Sequence, residues 1–483
     1  QLCHFIILND SLLKISRLNQ SSYSSFAIKT NSLEISMQPS DTLPPIQSVS
    51  FWDAFRFWLK LGFISFGGPA GQIAVMHQEL VENKRWISEK RFLHALNYCM
   101  LLPGPEAQQL AIYIGWLMHR TAGGLVAGIL FVLPSLFILI ALSWIYVQFG
   151  DVPIIAGLFY GIKPAVTAIV FHATYRIGSR SLKNAYLWLI AVAAFIAIFV
   201  FNTPFPLIIL AAAIAGYVLS KQKPDLFNAQ ASHQNDHKSY GAALIDDDTP
   251  TPAHAVFHWA RLAKILSIAA LLWFVPMLVL TLGLGWQHAY TQMAWFFTKA
   301  ALLTFGGAYA VLPYVYQGAV NHYAWLDPTQ MIDGLALGES TPGPLIMVVA
   351  FVGFLGAYNH ALLGADHLFL AGTIGAVIVT WFTFLFSFVF ILAGAPMIES
   401  THNELKFTAP LTAITAAVVG VILNLALFFS YHVLWPNGFH HPFNYEAAFI
   451  TLAACIALFK FQLNVVYVIF ASAFCGLILY MGV

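Results

Sequence analysis

The sequence predicts an all-α polytopic membrane protein made of two inverted homologous repeats with broken and re-entrant helices. Hydrophobic residues make up 59% of the 483 residues and charged residues only 9%, whereas about 25% of an average soluble domain is charged. Several apolar runs are long enough to cross a bilayer, and one glycine-containing motif occurs twice. These observations exclude a soluble globular domain and are typical of a transporter with internal repeats.

The repeated motif extends over residues 60–68, from a lysine to Phe-Gly-Gly. It recurs without a gap at residues 299–307, which lie 239 positions further along the chain. Two repeats of this kind in a membrane protein place the binding site at their interface, near the bilayer midplane. The same offset relates Trp86 to Trp325 and the Pro-Gly-Pro at 103–105 to the Pro-Gly-Pro at 342–344.

The two copies divide the chain into segments. Residues 1–50 are rich in Ser and Asn and have Met37 as their first methionine, so we expect a disordered N-terminal extension without a function. The rest comprises a first repeat at 51–220, a cytoplasmic linker at 221–260, a connecting transmembrane helix at 261–292 and a second repeat at 293–483.

Apolar runs of about 20 residues predict the membrane-spanning helices. They are 123–147, 153–172, 185–201, 203–219, 262–283, 367–394, 408–430, 445–460 and 462–482. Gly-Gly or Pro-Gly-Pro interrupts four further segments, which are 51–82, 92–118, 293–320 and 331–357. Non-helical backbone at membrane depth is tolerated only where it is buried in protein or lines a polar cavity. The four breaks therefore indicate the permeation site.

Basic residues predict the orientation of the helices. They cluster at 84–91, at 176–183 and on both sides of the linker, and the positive-inside rule places such loops in the cytoplasm. All of these basic loops lie in the cytoplasm only if residues 92–118 enter and leave the membrane on the same side, as a re-entrant hairpin. Five full crossings then separate the copies, so the second repeat is inverted. The loop at 323–330, which matches 84–91, has no Lys or Arg.

Four runs in this order along the chain resemble the chromate transporter family in its long, two-domain form. They read FISFGGPAGQIAVMHQELVENKRW, LLPGPEAQQLAIYIGWLMHRTAGGLVAGILFVLPS, LTFGGAYAVLPYVYQGAVNHYAWL and ESTPGPLIMVVAFVGFLGA. The resemblance extends from about residue 51 to the C-terminus and implies a bacterial or archaeal inner-membrane carrier that exports chromate and confers chromate resistance. Ser135 and Ala350 depart from the family pattern, in which Gly and Gln are common at these positions.

Broken helices also suit a tetrahedral oxyanion on physical grounds. A dianion that leaves water must have its hydration shell replaced, and helix N-termini offer unpaired N–H groups and a partial positive charge. The alternative is that the glycines serve helix packing. The candidate substrate-binding residues are Lys60, Ser65, Phe66, Gly67, Gly68, Pro103, Gly104, Pro105 and Gln108 in the first repeat, and Lys299, Thr304, Phe305, Gly306, Gly307, Thr341, Pro342, Gly343 and Pro344 in the second.

Charged residues near the breaks predict two further roles. Lys60 and Lys299 precede their Phe-Gly-Gly by the same spacing and are candidate countercharges, although each can instead extend to the membrane interface. Lys163 is a third candidate cation, without a counterpart in the second repeat. Glu106 and Glu339 lie beside the Pro-Gly-Pro motifs and are proton-coupling candidates, because an ionised carboxylate would repel an anion.

The sequence lacks the motifs that indicate several other functions. There is no G-x-x-x-x-G-K-[ST] for nucleotide binding, no HExxH and no G-x-S-x-G, so we expect no enzyme activity, no cofactor and transport driven by a gradient or by the membrane potential. His233, His237, His254 and His258 have metal-ligand spacing, but their polar surroundings favour a solvated linker. The expected partners are chromate or a similar oxyanion, the lipid bilayer and a second copy in a homodimer, and no nucleic acid. Transport of another oxyanion such as sulfate, a membrane scaffold and an intramembrane enzyme remain as alternatives.

Overall fold

A computed structural model shows the fold of residues 49–66, 68–223, 241–247, 249–250, 252, 254–400 and 408–482. Across these ranges the chain forms sixteen α-helices, joined by turns and by short π- and 3₁₀-helical segments, with no β-strand. Seven helices are long and apolar enough to cross a membrane. The predicted all-α polytopic membrane fold is therefore confirmed. The predicted N-terminal extension falls almost wholly outside the described residues.

The helices of the first half precede residue 223. They are α1 (Phe51–Ile64), α2 (Gly68–His77), α3 (Glu89–Leu101), α4 (Glu106–Phe149), α5 (Pro153–Ser181), α6 (Ala185–Phe199) and α7 (Phe205–Gln222). Helix α2 continues into a π-helical segment, Gln78–Asn83.

The remaining helices follow the linker. They are α8 (Trp259–Leu284), α9 (Ala289–Leu303), α10 (Ala308–Tyr316), α11 (Pro328–Ser340), α12 (Val348–Asn359), α13 (Leu368–Ser400), α14 (Thr408–Leu434), α15 (Tyr445–Phe459) and α16 (Val465–Gly482). Helix α10 also continues into a π-helical segment, Gln317–His322, at the same 239-residue offset from its counterpart.

Each of the four segments with a predicted interruption breaks at its motif. Helices α1 and α9 end directly before Ser65-Phe66 and Thr304-Phe305, and helices α3 and α11 end before the two Pro-Gly-Pro sequences. The two halves repeat backbone details as well, because Ser65 and Thr304 have nearly the same φ and ψ angles, −80° and 82° against −79° and 75°. The recurrence extends to unusual conformations, since Arg85 and Ala324 both have φ near +50°.

Helix α4 contains a sharp turn at His119 and Arg120, where φ of Arg120 is +54°. The segments before and after this turn pack closely, because a Cβ atom at Gly115 would lie 2.6 Å from the carbonyl oxygen of Gly123. Residues 106–118 and 121–149 thus form a helical hairpin, as the predicted boundary between 92–118 and 123–147 requires.

Helix α5 is longer than predicted. It extends beyond its predicted end at 172 to Ser181, because its last polar turns face a cavity instead of lipid.

Helices of the two halves pack against each other reciprocally. The hairpin α15–α16 of the second half packs on α5 of the first half, and the hairpin α6–α7 of the first half packs on α14 of the second half. Helices α4 and α13, and helices α5 and α14, also pack against each other across the halves. This interlocked arrangement buries small residues at the crossings. At Gly161, for example, a Cβ atom would lie 1.9 Å from the carbonyl oxygen of Ser472.

The predicted solvated linker is partly wrong. Residues 224–240 lie outside the described residues, but Ile245 pairs with Ile87 in an isolated β-bridge and is buried. The Ser88 hydroxyl donates to Asp247 at 2.6 Å. A short apolar segment of the linker thus docks on the loop 84–91. The polar composition of the linker as a whole did not predict this contact.

Two linker histidines do not form the helical pair that metal-ligand spacing suggests. His254 lies in a turn, with its Nε2 atom 2.9 Å from the carbonyl oxygen of Trp116. His258 precedes α8 with φ −141°. Burial lowers the pKa of His254, which favours the neutral form at this contact.

Candidate functional site

The Ser/Thr-Phe-Gly-Gly breaks place two hydroxyl groups in the protein interior. Ser65 and Thr304 are both fully buried at the ends of α1 and α9. The Thr304 hydroxyl donates to the carbonyl oxygen of Ala300 at 2.6 Å. The Ser65 hydroxyl has no hydrogen-bond partner among the described residues. Of the two equivalent hydroxyls, only that of Ser65 is therefore without a hydrogen-bond partner in the described part of the protein.

The glycines that follow have backbone conformations in which side chains are strained. Gly68, Gly306 and Gly307 have φ angles of +68°, +79° and +92°, in the region that only glycine adopts readily. The space around Gly307 is open, because a Cβ atom there would meet only the Glu106 Oε1 atom, at 3.8 Å. Gly67 lies outside the described residues.

The Pro-Gly-Pro breaks join the two halves through a reciprocal pair of hydrogen bonds. The N–H of Gly104 donates to the carbonyl oxygen of Thr304 at 2.7 Å, and the N–H of Gly343 donates to the carbonyl oxygen of Ser65 at 2.8 Å. Each half thus binds the other through equivalent positions, as expected for a two-fold relation. These glycine N–H groups are occupied, and proline has none, so neither motif supplies a free backbone donor to an anion.

A cavity of about 750 Å³ lies where the broken helices meet. It follows α3 from Phe92 to Met100, a length of about 12 Å. Both repeats contribute to its wall. The lining residues are Pro69, Ala70, Ile73, Ala74, His77, Gln78, Glu82, Phe92, Leu93, Leu96, Met100, Glu106, Arg176, Ile177, Arg180, Ser181, Gly306, Gly307, Ala308, Tyr309 and Thr415.

Positive charge in this cavity comes from helix α5. Arg176 and Arg180 line it, with Arg176 half-buried and Arg180 exposed. Arg176 also acts electrostatically on a buried pair in which the Tyr309 hydroxyl donates to the Glu339 carboxylate. Of the two lining arginines, Arg176 is thus the one that acts on this buried pair. Both arginines lie past the apolar run at 153–172, so the sequence predicts them in a cytoplasmic loop.

The first turn of α10 faces the same space. Gly307, Ala308 and Tyr309 all line the cavity. The first N–H groups of a helix have no hydrogen-bond partner within that helix. Pro69 and Ala70, which directly follow Gly68 at the start of α2, are also in the wall. Two helix N-termini and a guanidinium group therefore meet in one cavity, an arrangement that attracts anions.

The predicted site residues separate into three groups. Gly306, Gly307 and Glu106 line the cavity, and Glu339 contacts its wall through Tyr309. Gly68 directly precedes a lining residue. The residues outside the lining are Lys60, Ser65, Phe66, Pro103, Gly104, Pro105, Gln108, Lys299, Thr304, Phe305, Thr341, Pro342, Gly343 and Pro344.

The two repeated lysines do not converge on the cavity as the sequence suggested. Lys60 is exposed on α1. Lys299 is half-buried on α9 with its ammonium group 5.7 Å from the ring centre of Trp295. Their shared spacing from Phe-Gly-Gly places them on equivalent outer faces of the two helices, because the inner faces pack into the protein core.

The chain matches one family model and several known proteins. The family model described as "Chromate transporter" matches residues 52–217 and 291–477. The chain is 32% identical to a chromate transport protein of Pseudomonas aeruginosa over 79% of this chain and 81% of that protein. It is 28% identical to a chromate transport protein of Cupriavidus metallidurans over 88% of this chain and 92% of that protein. No solved structure matches the chain.

Proposed function

Because this chain belongs to the chromate transporter family, we propose that it is a secondary transporter that exports chromate across the inner membrane and confers chromate resistance. The observation that carries the proposal is the meeting of Arg176, the Gly306-Gly307 break and the start of α10 in one cavity. Export of a dianion from a cell that is negative inside is favourable by about 2.3 kcal/mol per charge per 100 mV. The membrane potential alone is therefore a sufficient driving force.

Arg176 and the α10 N-terminus form the proposed anion site. A guanidinium group matches the geometry of an oxyanion through paired N–H donors. The N–H groups of the first turn of α10 add further donors where the glycines let the backbone approach closely. The equivalent break in the first repeat, with the unpartnered Ser65 hydroxyl, takes this role in the state that opens to the other side.

Glu106 and Glu339 are proposed as proton carriers beside this site. Glu106 lies next to Gly307, and Glu339 is held by Tyr309. An ionised carboxylate at either position would repel a dianion. Binding of the anion therefore favours the protonated form of both groups.

Alternating access follows from an inverted relation between the halves. The reciprocal bonds of Gly104 and Gly343 support a two-fold axis between the repeats. The odd number of crossings predicted between the copies favours an axis in the membrane plane. The basic loops at one end of the cavity and the linker then face the cytoplasm, and the cavity is the inward-open state of the site.

Cysteine labelling tests the inverted relation. Ala122 and Leu363 are exposed at the turns that follow the two re-entrant hairpins. In a background without native cysteines, we expect a membrane-impermeant maleimide to label A122C only in everted vesicles and L363C only in intact cells. Ala242, exposed in the linker, serves as a cytoplasmic control. Labelling of A122C and L363C from the same side would contradict the proposal.

Lys299 provides a test of which cation binds the anion. Because its ammonium group lies over the Trp295 ring outside the cavity, Lys299→Met is expected to change the chromate concentration for half-maximal transport by less than about twofold, or less than about 0.4 kcal/mol. Lys60→Met should behave in the same way. A tenfold increase in either variant, measured as radiolabelled chromate uptake into everted vesicles, would instead assign the countercharge to the lysines.

The function itself is tested by chromate flux. Everted vesicles that contain the protein are expected to accumulate radiolabelled chromate when the interior is positive, and vesicles without it are not. Sulfate serves as the competitor. Inhibition by sulfate at the same concentration as unlabelled chromate would favour a general oxyanion transporter, and absence of flux for both anions would refute the proposal.

A further inference from the structure

A second charged cluster lies outside the cavity, around Asp333 of helix α11. One carboxylate oxygen, Oδ2, accepts a hydrogen bond from the Tyr146 hydroxyl at 2.9 Å and lies 3.4 Å from the Lys163 ammonium nitrogen. Tyr146 belongs to α4 and Lys163 to α5, so residues from both halves form the cluster. The Asp333 side chain is 2% exposed and that of Lys163 is 28% exposed.

The other carboxylate oxygen, Oδ1, is buried and has no hydrogen-bond partner in the described part of the chain. An ionised carboxylate normally accepts hydrogen bonds at both oxygens, and a buried charge with incomplete pairing is costly. The ionised form of Asp333 therefore depends strongly on Lys163. If Lys163 moves away, the carboxylate is left in a low-dielectric environment and takes up a proton.

The position of Asp333 connects one membrane face to the cavity. It lies six residues beyond Asp327, the N-cap of α11, and six residues before Glu339, which corresponds to two steps of about 9 Å along the helix. Glu339 in turn contacts Tyr309 in the cavity wall. Carboxyl groups thus recur along α11 from its start to the anion site. Among the described residues, Asp327 and Asp151, which lies in the turn before α5, also act electrostatically on this cluster.

Lys163 and Arg176 lie on the same helix. They are separated by 13 residues of α5, or about 20 Å, so Lys163 lies far from the arginine that lines the cavity. If the basic loops are cytoplasmic, Lys163 lies toward the outer side of the membrane. A cation at this position can take over the anion from Arg176 when the site opens outward.

We propose that Asp333, paired with Lys163, is a proton-binding site that exchanges protons for the transported oxyanion. This inference rests on the proposed function. In the inward-open structure Lys163 pairs with ionised Asp333. When the site opens outward, Lys163 turns to the oxyanion and Asp333 takes a proton from external water onto a carboxylate oxygen. After the anion leaves, Lys163 returns and the proton moves toward Glu339 and the cytoplasmic cavity.

Proteoliposomes with a clamped membrane potential test this exchange. Radiolabelled chromate and an internal pH-sensitive dye are followed together, at an alkaline pH at which chromate is a dianion. The wild-type protein is expected to move protons in the direction opposite to chromate. In Asp333→Asn the ratio of protons to chromate should fall at least tenfold, whatever flux remains. Glu446→Gln is the matched control, because Glu446 accepts a hydrogen bond from Tyr160 of the same helix α5 at 2.7 Å, and its ratio should equal that of the wild type.

Asp333→Asn leaves Lys163 without its partner and can impair folding. If it does, the charge-balanced double variant D333N/K163Q replaces it under the same criterion. Chromate flux without proton movement in the wild type, or an unchanged ratio in the variant, would overturn the inference and leave the proposed chromate export intact. Absence of chromate flux in the wild type would refute the proposed function instead.

Discussion

Replacing Arg176 by Gln is expected to raise the chromate concentration for half-maximal transport by about 30-fold, equivalent to about 2 kcal/mol. Arg176 is half-buried and lines the cavity together with the Gly306-Gly307 break. Gln keeps some hydrogen-bonding capacity but removes the charge that replaces part of the anion's hydration. The measurement is the concentration dependence of radiolabelled chromate uptake into everted vesicles, normalised to the amount of protein in the membrane.

Arg180 offers a matched control for this variant. It lies one helical turn further along α5, lines the same cavity and is exposed, so water screens its charge. Arg180→Gln should change the half-maximal concentration by about threefold or less. Arg176→Lys should fall between the two, because it keeps the charge but loses the paired donors. Equal effects of R176Q and R180Q would indicate general electrostatic attraction instead of a binding site.

Gly307→Leu is expected to abolish chromate transport while the protein still inserts in the membrane. The φ angle of +92° at Gly307 is strained for any side chain. A leucine would also extend from the open space beside Glu106 into the cavity where the first N–H groups of α10 face the anion. Gly306→Leu should have the same effect, since φ there is +79° and its Cβ atom would approach Thr415 at 3.6 Å.

A glycine away from the breaks controls for the substitution itself. Gly283 lies on α8, where a Cβ atom would meet nothing within 4 Å. Gly283→Leu should leave transport and membrane insertion within about 1.5-fold of the wild type, because such a surface change has a small effect on stability. Normal chromate transport by well-expressed G307L would assign the Phe-Gly-Gly glycines to helix packing alone.

The sequence alone was sufficient to locate the helix breaks. Phe-Gly-Gly and Pro-Gly-Pro disrupt a helix through local backbone chemistry, and their recurrence at one offset separated them from isolated glycines. In the structure, a helix ends just before each of these motifs. The bonding of the Pro-Gly-Pro glycines was not predictable, because Gly104 donates to Thr304, a residue 200 positions away.

The countercharge was the least predictable part of the site. The repeated spacing pointed to Lys60 and Lys299. Repetition shows that two residues occupy equivalent positions, but it does not show that their side chains point toward the binding site. Arg176 follows the apolar run of α5, so the composition placed it in a loop, whereas the helix continues to Ser181. Only the tertiary arrangement of α5 beside α10 brings this arginine to the Gly306-Gly307 break.

Contacts between distant segments explain why the sequence did not predict other features of the structure. Asp333 has no acidic counterpart in the first repeat, where His94 occupies the equivalent position, so the repetition does not indicate it. Its partner Lys163 was predicted as a third candidate cation, but the ion pair joins residues 170 positions apart in the sequence. The docking of Ile245 on Ile87 likewise depends on a short apolar segment within a polar linker.

Cryo-electron microscopy of the purified protein in lipid nanodiscs with chromate tests the proposed anion site most directly. We predict density for one tetrahedral anion beside the Arg176 guanidinium group and the first turn of α10. The same density should be absent from R176Q and present in R180Q. An ordered anion elsewhere, for example beside Lys60 or Lys299, or an unchanged site in R176Q, would contradict the assignment of this cavity as the chromate site.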